Sequence, residues 1–312
     1  MYGHNTAYRR ILRQFKERQY EEDVLVIEFN DQFKKADGIT TSRKVAHMKG
    51  WIMFYGNQGI AVFHSIPCLT CGRENDNIGQ QYGQHFFCVT IDRDNLPKLL
   101  EQLWTAHPDI GYMNIPEEFI NVGRMTDIWN GRFRKNFDQV LKSELQTLGG
   151  FEFVIHTRAH SAKQEHQDCP SLWDKIAELY HQSFKVQSWW NNTLLCDKCV
   201  RNGFCYTKRG IINILQTIII GTAADSWEHT RDHTKIGISE GSNILCFGDL
   251  NHTVTQLRRG GSIYVFCNPN LVKIFKNTFR YEVEEKSFEL NIVFIILSII
   301  VFFLVLIYNY KF

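Results

Sequence analysis

Net charge is the first thing this chain has little of. Its 35 Lys and Arg stand against 33 Asp and Glu, leaving a formal +2 over 312 residues. A protein that coats nucleic acid by bulk charge is excluded, so any grip on an anion must come from local basic patches. An apolar signal-type segment is missing at the start, where residues 1–20 are polar and basic. No short-period repeat runs along the chain. The composition, 44% hydrophobic and 22% charged, excludes a disordered protein and suits one large domain or two smaller ones.

Metal-ligand spacing is absent as well. Cys196-x-x-Cys199 with Cys205 has no histidine at zinc spacing, and His156, His160 and His166 are spread too loosely for a site. No metal and no cofactor is expected. The nine cysteines are read as disulfide formers of an oxidising compartment. Cys246 and Cys267, on adjacent predicted strands, are candidates to bridge, and Cys68, Cys71 and Cys88 hold one pair.

What is present begins at the far end. Residues 290–310 read LNIVFIILSIIVFFLVLIYNY, without a charge. At about 1.5 Å per residue this stretch spans a bilayer core of roughly 30 Å, and Tyr308 and Tyr310 sit where interfacial aromatics belong. A single-pass membrane helix is expected. Lys311 beyond it favours a cytosolic C-terminus, with the globular part lumenal, in a lysosome, or extracellular. That orientation requires a signal that residues 1–20 lack. The alternatives are tail insertion with a cytosolic globule, or an N-terminus that lies further upstream.

Strand-like and helix-like stretches alternate through the rest, so the class is α/β. Tyr8, Ile11, Leu12 and Phe15 have helical spacing, and residues 23–29 (DVLVIEF) read as a buried strand. Residues 45–54 and 59–65 read as strands around a turn at 56–59, and residues 85–91 as another. Leu96, Leu99, Leu100 and Leu103 form one helical stripe. After Gly149-Gly150 the pattern restarts: a strand at 151–156, a helix at 172–184, strands at 186–190, 214–220, 243–247 and 262–267, and a short helix at 271–275. The expected division is 1–150, 151–285 and the span at 290–310. The sequon asparagine Asn191 falls in the second half.

Each half carries one H-x-K tripeptide, His47-Met48-Lys49 and His233-Thr234-Lys235. Residues i and i+2 of a strand share a face, so each tripeptide sets an imidazole beside an ammonium. Brought together, the four surround one phosphate. One imidazole attacks phosphorus, the other protonates the leaving oxygen, and the lysines neutralise the developing charge. Both imidazoles have reference pKa values near 6.5, so a pair with one protonated and one neutral favours acid conditions. A lone H-x-K carries almost no information, since twelve histidines make a chance match expected.

The surroundings add more. His47 opens HMKGWIMFYGNQGIAVFHSIP, and His233 opens HTKIGISEGSNILCFGDLN, with Arg258-Arg259-Gly260-Gly261-Ser262 beyond it. Tyr82-Gly83-Gln84 leads to Cys88, residues 186–189 read VQSW, and NPNLVKIF follows Cys267. Over roughly residues 8–276 these stretches resemble the deoxyribonuclease II family, acid endonucleases of lysosomes and secretions. The resemblance implies a phospholipase D-like fold, two similar halves with mixed sheets that share one cleft. It implies cleavage of DNA without metal at acid pH, leaving 3′-phosphates. By position, His47, Lys49, His233 and Lys235 match the H-x-K residues. Asn251 matches the asparagine behind the second motif, and His64-Ser65 match an H-S-x-P element. The family carries a signal peptide and a first strand ahead of its opening helix. This chain begins almost at that helix, so its first half is expected to be short of a central strand.

Other readings stand beside these. His64 is equally a core histidine or a support for the site. Arg258 and Arg259 are taken as phosphate contacts, whereas Arg132, Arg134 and Lys135 are taken as a solvated basic loop and Trp189-Trp190 as core. Rival functions are a phospholipase D-like lipid phosphodiesterase, and an inactive family member that binds DNA or a protein. The expected partners are DNA, a membrane and a second copy in a homodimer.

Overall fold

The computed structural model describes residues 7–35, 38–41, 45–69, 82–135, 139–160, 170–189, 194–195, 204–207, 209–214, 216–219, 227–228 and 231–280. The expected membrane span at 290–310 lies outside them. Among the described residues no helix is long and apolar enough to cross a membrane.

The chain opens with the helix Ala7–Arg18, whose Leu12 and Phe15 are buried; Phe15 lies against Trp51 at 4.8 Å between ring centroids. Next comes the strand Leu25–Phe29, buried at every residue. Its burial on both faces has a simple cause. Val26 faces the cluster under the first helix, while Leu25, Ile27 and Phe29 face the main core, so neither side meets water. This strand is interior to a five-stranded sheet, between Gly50–Tyr55 and Ile110–Asn114. Gly50–Tyr55 pairs on its other side with Gln58–His64, which pairs with Phe86–Asp92. The segment behind the first H-x-K is thus held by a ladder on both sides. Gly56, at φ 55°, supplies the left-handed residue of the hairpin turn.

The second sheet has eight strands, in the order Phe204–Tyr206, Ile211–Ile214, Phe184–Ser188, Lys235–Ser239, Ile244–Gly248, Gly261–Cys267, Glu152–Arg158 and Val140–Gln146. The α/β class holds, and of the two large sheets the second is mixed. The first sheet is antiparallel throughout, and in the second only Phe184–Ser188 and Ile211–Ile214 run parallel. Position 150/151 falls in the turn of a hairpin between Val140–Gln146 and Glu152–Arg158, both strands of the second sheet.

One core joins the sheets. Phe63 of the first meets Tyr264 of the second at 4.4 Å, and Phe87 meets Phe266 at 5.1 Å. Helix Leu96–Ala106 lays the predicted leucine stripe into the same cluster. Helix Leu172–Tyr180 starts on a Ser171–Asp174 capping box and stops earlier than predicted, where His181 turns left-handed at φ 50°. Its Trp173 fills space left by Gly237 and Gly248, where an added Cβ would meet the indole at 2.6 and 2.8 Å.

Cys246 and Cys267 do not bridge; both are free thiols. Their strands pair Cys246 with Val265 and Ile244 with Cys267, which leaves the two cysteines out of register. Cys88 is a free thiol as well, whereas Cys68 is disulfide-bonded.

Candidate active site

Residues 45–49 were expected to begin a strand, yet the ladder begins only at Gly50. The reason is that their backbone is spent elsewhere. Ala46 N–H bonds the His107 carbonyl at 2.8 Å, and His47 N–H bonds the Gly260 carbonyl at 2.9 Å. Arg259 donates from Nε to Val45 O at 3.1 Å and from Nη2 to Ala46 O at 3.0 Å. Alternation persists in this extended piece. Ala46 and Met48 enter the core, and His47 and Lys49 point the other way, onto Asp31. His47 Nδ1 donates to the Asp249 carbonyl at 2.6 Å. The first tripeptide is therefore gripped by the second half of the chain.

The second tripeptide is gripped by the first half. Gly83 pairs with Asp232 in an isolated parallel bridge, and His233 N–H bonds the Gly83 carbonyl at 2.8 Å. The approach is close enough that a Cβ on Gly83 would come within 2.6 Å of Asp232 Oδ1. Lys235 opens the strand Lys235–Ser239, and its N–H donates to His85 Nδ1 at 3.3 Å. Its ammonium donates to the His233 carbonyl at 2.6 Å. The His233 ring lies between Tyr82 and Trp189, at 4.7 and 5.1 Å. Trp189, expected in the core, is half-buried at this wall.

The charges of the two tripeptides act on one another. Burial, then Lys49, lowers the Lys235 ammonium to about 7, against the pull of Asp232, Asp31 and Asp249. Burial, Lys235 and Lys49 push the His233 imidazole down to about 3. The His47 imidazole is pushed well below its ordinary value by burial, Lys49, Arg259 and Lys235, with Asp31 opposing. Burial pushes Asp31 up, but Lys49, His47 and Arg259 outweigh it and hold this carboxyl well below the usual range. Its contacts are Lys49 Nζ at 2.6 Å, Arg259 Nη1 at 3.2 Å and His47 Nε2 at 3.5 Å. Asp249 goes the other way: burial lifts its carboxyl to about 7, although Ser262 N–H and Tyr264 OH donate to Oδ2. Among the described residues no group of three His, Cys, Asp or Glu is gathered as a metal site.

The expected supporting residues are close by. Asn251 is buried, with an Oδ1 that has no hydrogen-bond partner among the described residues. Its neighbours are pinned: Trp173 Nε1 donates to Leu250 O at 2.8 Å, and His252 lies between Asn213 Oδ1 at 2.5 Å and Asp174 at 3.6 Å. His64 is buried behind Lys49, whose carbonyl accepts its N–H at 3.0 Å, and it stacks on Phe86. Ser65 Oγ accepts from His85 N–H and donates to Gln84 Oε1. Arg258 is exposed, while Arg259 is buried and commits its guanidinium to Val45, Ala46 and Asp31. Arg259 is thus a strut between the halves in this structure. Asp31 and His85 were missed in the sequence, since a single Asp or His carries no spacing. Asp249 stood inside the quoted Gly248-Asp249-Leu250-Asn251 without a role.

Residues 3–283 match the family described as Deoxyribonuclease II. The chain is similar to Cell-death-related nuclease 7 of Caenorhabditis elegans, 24% identical over 264 residues, 82% of this chain and 66% of that protein. It is 24% identical to Deoxyribonuclease-2 of the same organism over 294 residues, 85% of this chain and 74% of that one. With Deoxyribonuclease-2-beta of Mus musculus it shares 27% identity over 254 residues, 78% of this chain and 67% of the relative. The chain thus spans roughly two thirds to three quarters of the length of these relatives. It belongs to the deoxyribonuclease II family, a family of nuclease hydrolases.

Proposed function

We propose that this protein is an endodeoxyribonuclease that cleaves DNA without a metal ion, best at acid pH, through a phosphohistidine intermediate, in a phospholipase D-like cleft. The observation that carries the reading is the meeting of the two H-x-K tripeptides, each held by the opposite half of the chain. Family membership supplies the substrate class, DNA.

The chemistry follows from the side chains. One imidazole forms an N–P bond as the 5′ oxygen leaves with a proton from the other. Water then attacks phosphorus, gives up its proton to that second ring, and breaks the N–P bond to leave a 3′-phosphate. Lys49 and Lys235 neutralise the non-bridging oxygens, the electrophilic work a cation would otherwise do. Acid preference has two supports. Lys235 carries its charge fully only below about pH 7, and one imidazole must be protonated while the other is neutral. The apolar run at 290–310 supports a single-pass anchor that presents the nuclease to a lumenal or extracellular compartment.

The test is an alkaline detergent quench of a digest of end-labelled DNA. The expected result is a protein–DNA adduct that acid destroys and base spares, with product ends that block polymerase extension until dephosphorylated. Free 3′-hydroxyl ends without an adduct would contradict the reading.

A further inference from the structure

The two histidines stand in different surroundings, and that difference assigns their roles. His47 Nδ1 lies 2.6 Å from a backbone carbonyl, which only accepts, so this nitrogen carries hydrogen. Nε2 on the opposite side lies 3.5 Å from the Asp31 carboxylate, an ion-pair distance rather than a hydrogen bond. A ring with acceptors at both nitrogens satisfies both only as the imidazolium. Burial, Lys49, Arg259 and Lys235 oppose that charge, and Asp31 favours it. A phosphodiester that engages the ammonium groups reduces their opposition and brings its own negative charge to the site, so that it and Asp31 together favour the charged ring against burial and Arg259.

His233 has no such partner. Its ring is flanked by Tyr82 and Trp189, and the charges that act on it among the described residues are the cations Lys235 and Lys49. The neighbouring Asp232 is buried and turns its Oδ1 to the Thr234 N–H at 2.9 Å. Those surroundings hold His233 neutral, with a lone pair free for attack.

We propose that Asp31 is the positioning residue that favours the imidazolium of His47 once a phosphodiester is bound, which makes His47 the proton donor to the leaving 5′ oxygen and His233 the nucleophile. This rests on the phosphodiesterase reading above. In the first step a His233 nitrogen bonds to phosphorus, the P–O5′ bond breaks, and the His47 Nε2 proton goes to O5′. In the second, water bonds to phosphorus, its proton returns to His47, and the N–P electron pair returns to His233. Asp31 touches neither phosphorus nor the leaving oxygen; it acts through His47 and through Lys49, which it holds at 2.6 Å.

A leaving group that needs no proton separates the roles. DNA cleavage is compared with nitrophenolate release from thymidine 3′-(4-nitrophenyl phosphate), whose nitrophenolate stands in for O5′. His47→Ala is expected to lose DNA cleavage by about 1000-fold yet keep a nitrophenolate burst within about 10-fold of wild type; His233→Ala loses both. Asp31→Asn lowers DNA cleavage at least about 10-fold more than ester cleavage, and Asp31→Glu, which keeps the charge, returns the ratio towards wild type. A purely structural Asp31 would lower both rates equally, which overturns the proposal. So does a burst that survives in His233→Ala and vanishes in His47→Ala. Should Asp31→Asn fail to fold, Asp31→Glu and the two histidine variants decide the matter alone. Wild-type protein inert towards both substrates would overturn the phosphodiesterase reading, and this assignment with it.

Discussion

An ammonium group taken out of water loses hydration that only a partner can replace, and Lys235 is 4% exposed with a second lysine beside it. Its pKa of about 7 sets a direction for the reaction. Below that value the ammonium is present and can neutralise a phosphate oxygen; above it the amine cannot. Single-turnover DNA cleavage should therefore fall as pH rises through about 7, and Lys235→Met should be slower by about 100-fold or more at acid pH, with the dependence on this group gone. An unchanged alkaline limb in Lys235→Met would show that another group sets it. At this scale the sequence was legible where residues had spacing. His47, Lys49, His233 and Lys235 form two matching tripeptides, whereas Asp31 and His85 reach the site by tertiary contact alone. Arg259 was read as a phosphate ligand from its nearness to the second motif. Its burial and its two carbonyl acceptors in residues 45–46 were invisible in the sequence.

Both tripeptides sit at the mouths of strands rather than inside them, because their amides bond across the halves instead of along a ladder. The bridge between Gly83 and Asp232 is one of these joints, and a close one. A methyl at Gly83 would meet the Asp232 carboxylate at 2.6 Å, so Gly83→Ala must push the segment before His233 aside. The expected outcome is a loss of about 1–3 kcal/mol in stability and a fall in turnover larger than the fall in DNA affinity. Thermal melting and separate kcat and KM values check it, and a change in KM alone would contradict it. Strands with a clean pattern were legible, such as Leu25–Phe29 and Gly261–Cys267. Ile110–Asn114 and Val140–Gln146 were not. Both are edge strands of intermediate burial without strict alternation, so neither shows a period of two.

In the whole molecule, the halves are interdependent. The first H-x-K is fixed by Asp249, Arg259 and Gly260, and the second by Gly83 and His85. Each motif thus takes part of its support from the opposite half. Arg259→Ala would release two backbone carbonyls and leave Asp31 with one fewer cation, at a cost of about 3–5 kcal/mol by the usual toll of breaking a buried pair. Denaturant melts should show that loss, with catalysis impaired even where the variant stays folded; wild-type stability would contradict the strut. Spacing betrays the motifs in the sequence, but the hairpin that straddles position 150 is a matter of sheet pairing. The central claim is that both tripeptides make one DNA-cleaving site, and plasmid nicking at about pH 5 in the presence of chelator tests it most directly. Wild-type protein should nick, and His47→Ala and His233→Ala should each lose at least about 1000-fold while remaining folded. Nicking that persists undiminished in either variant would contradict it.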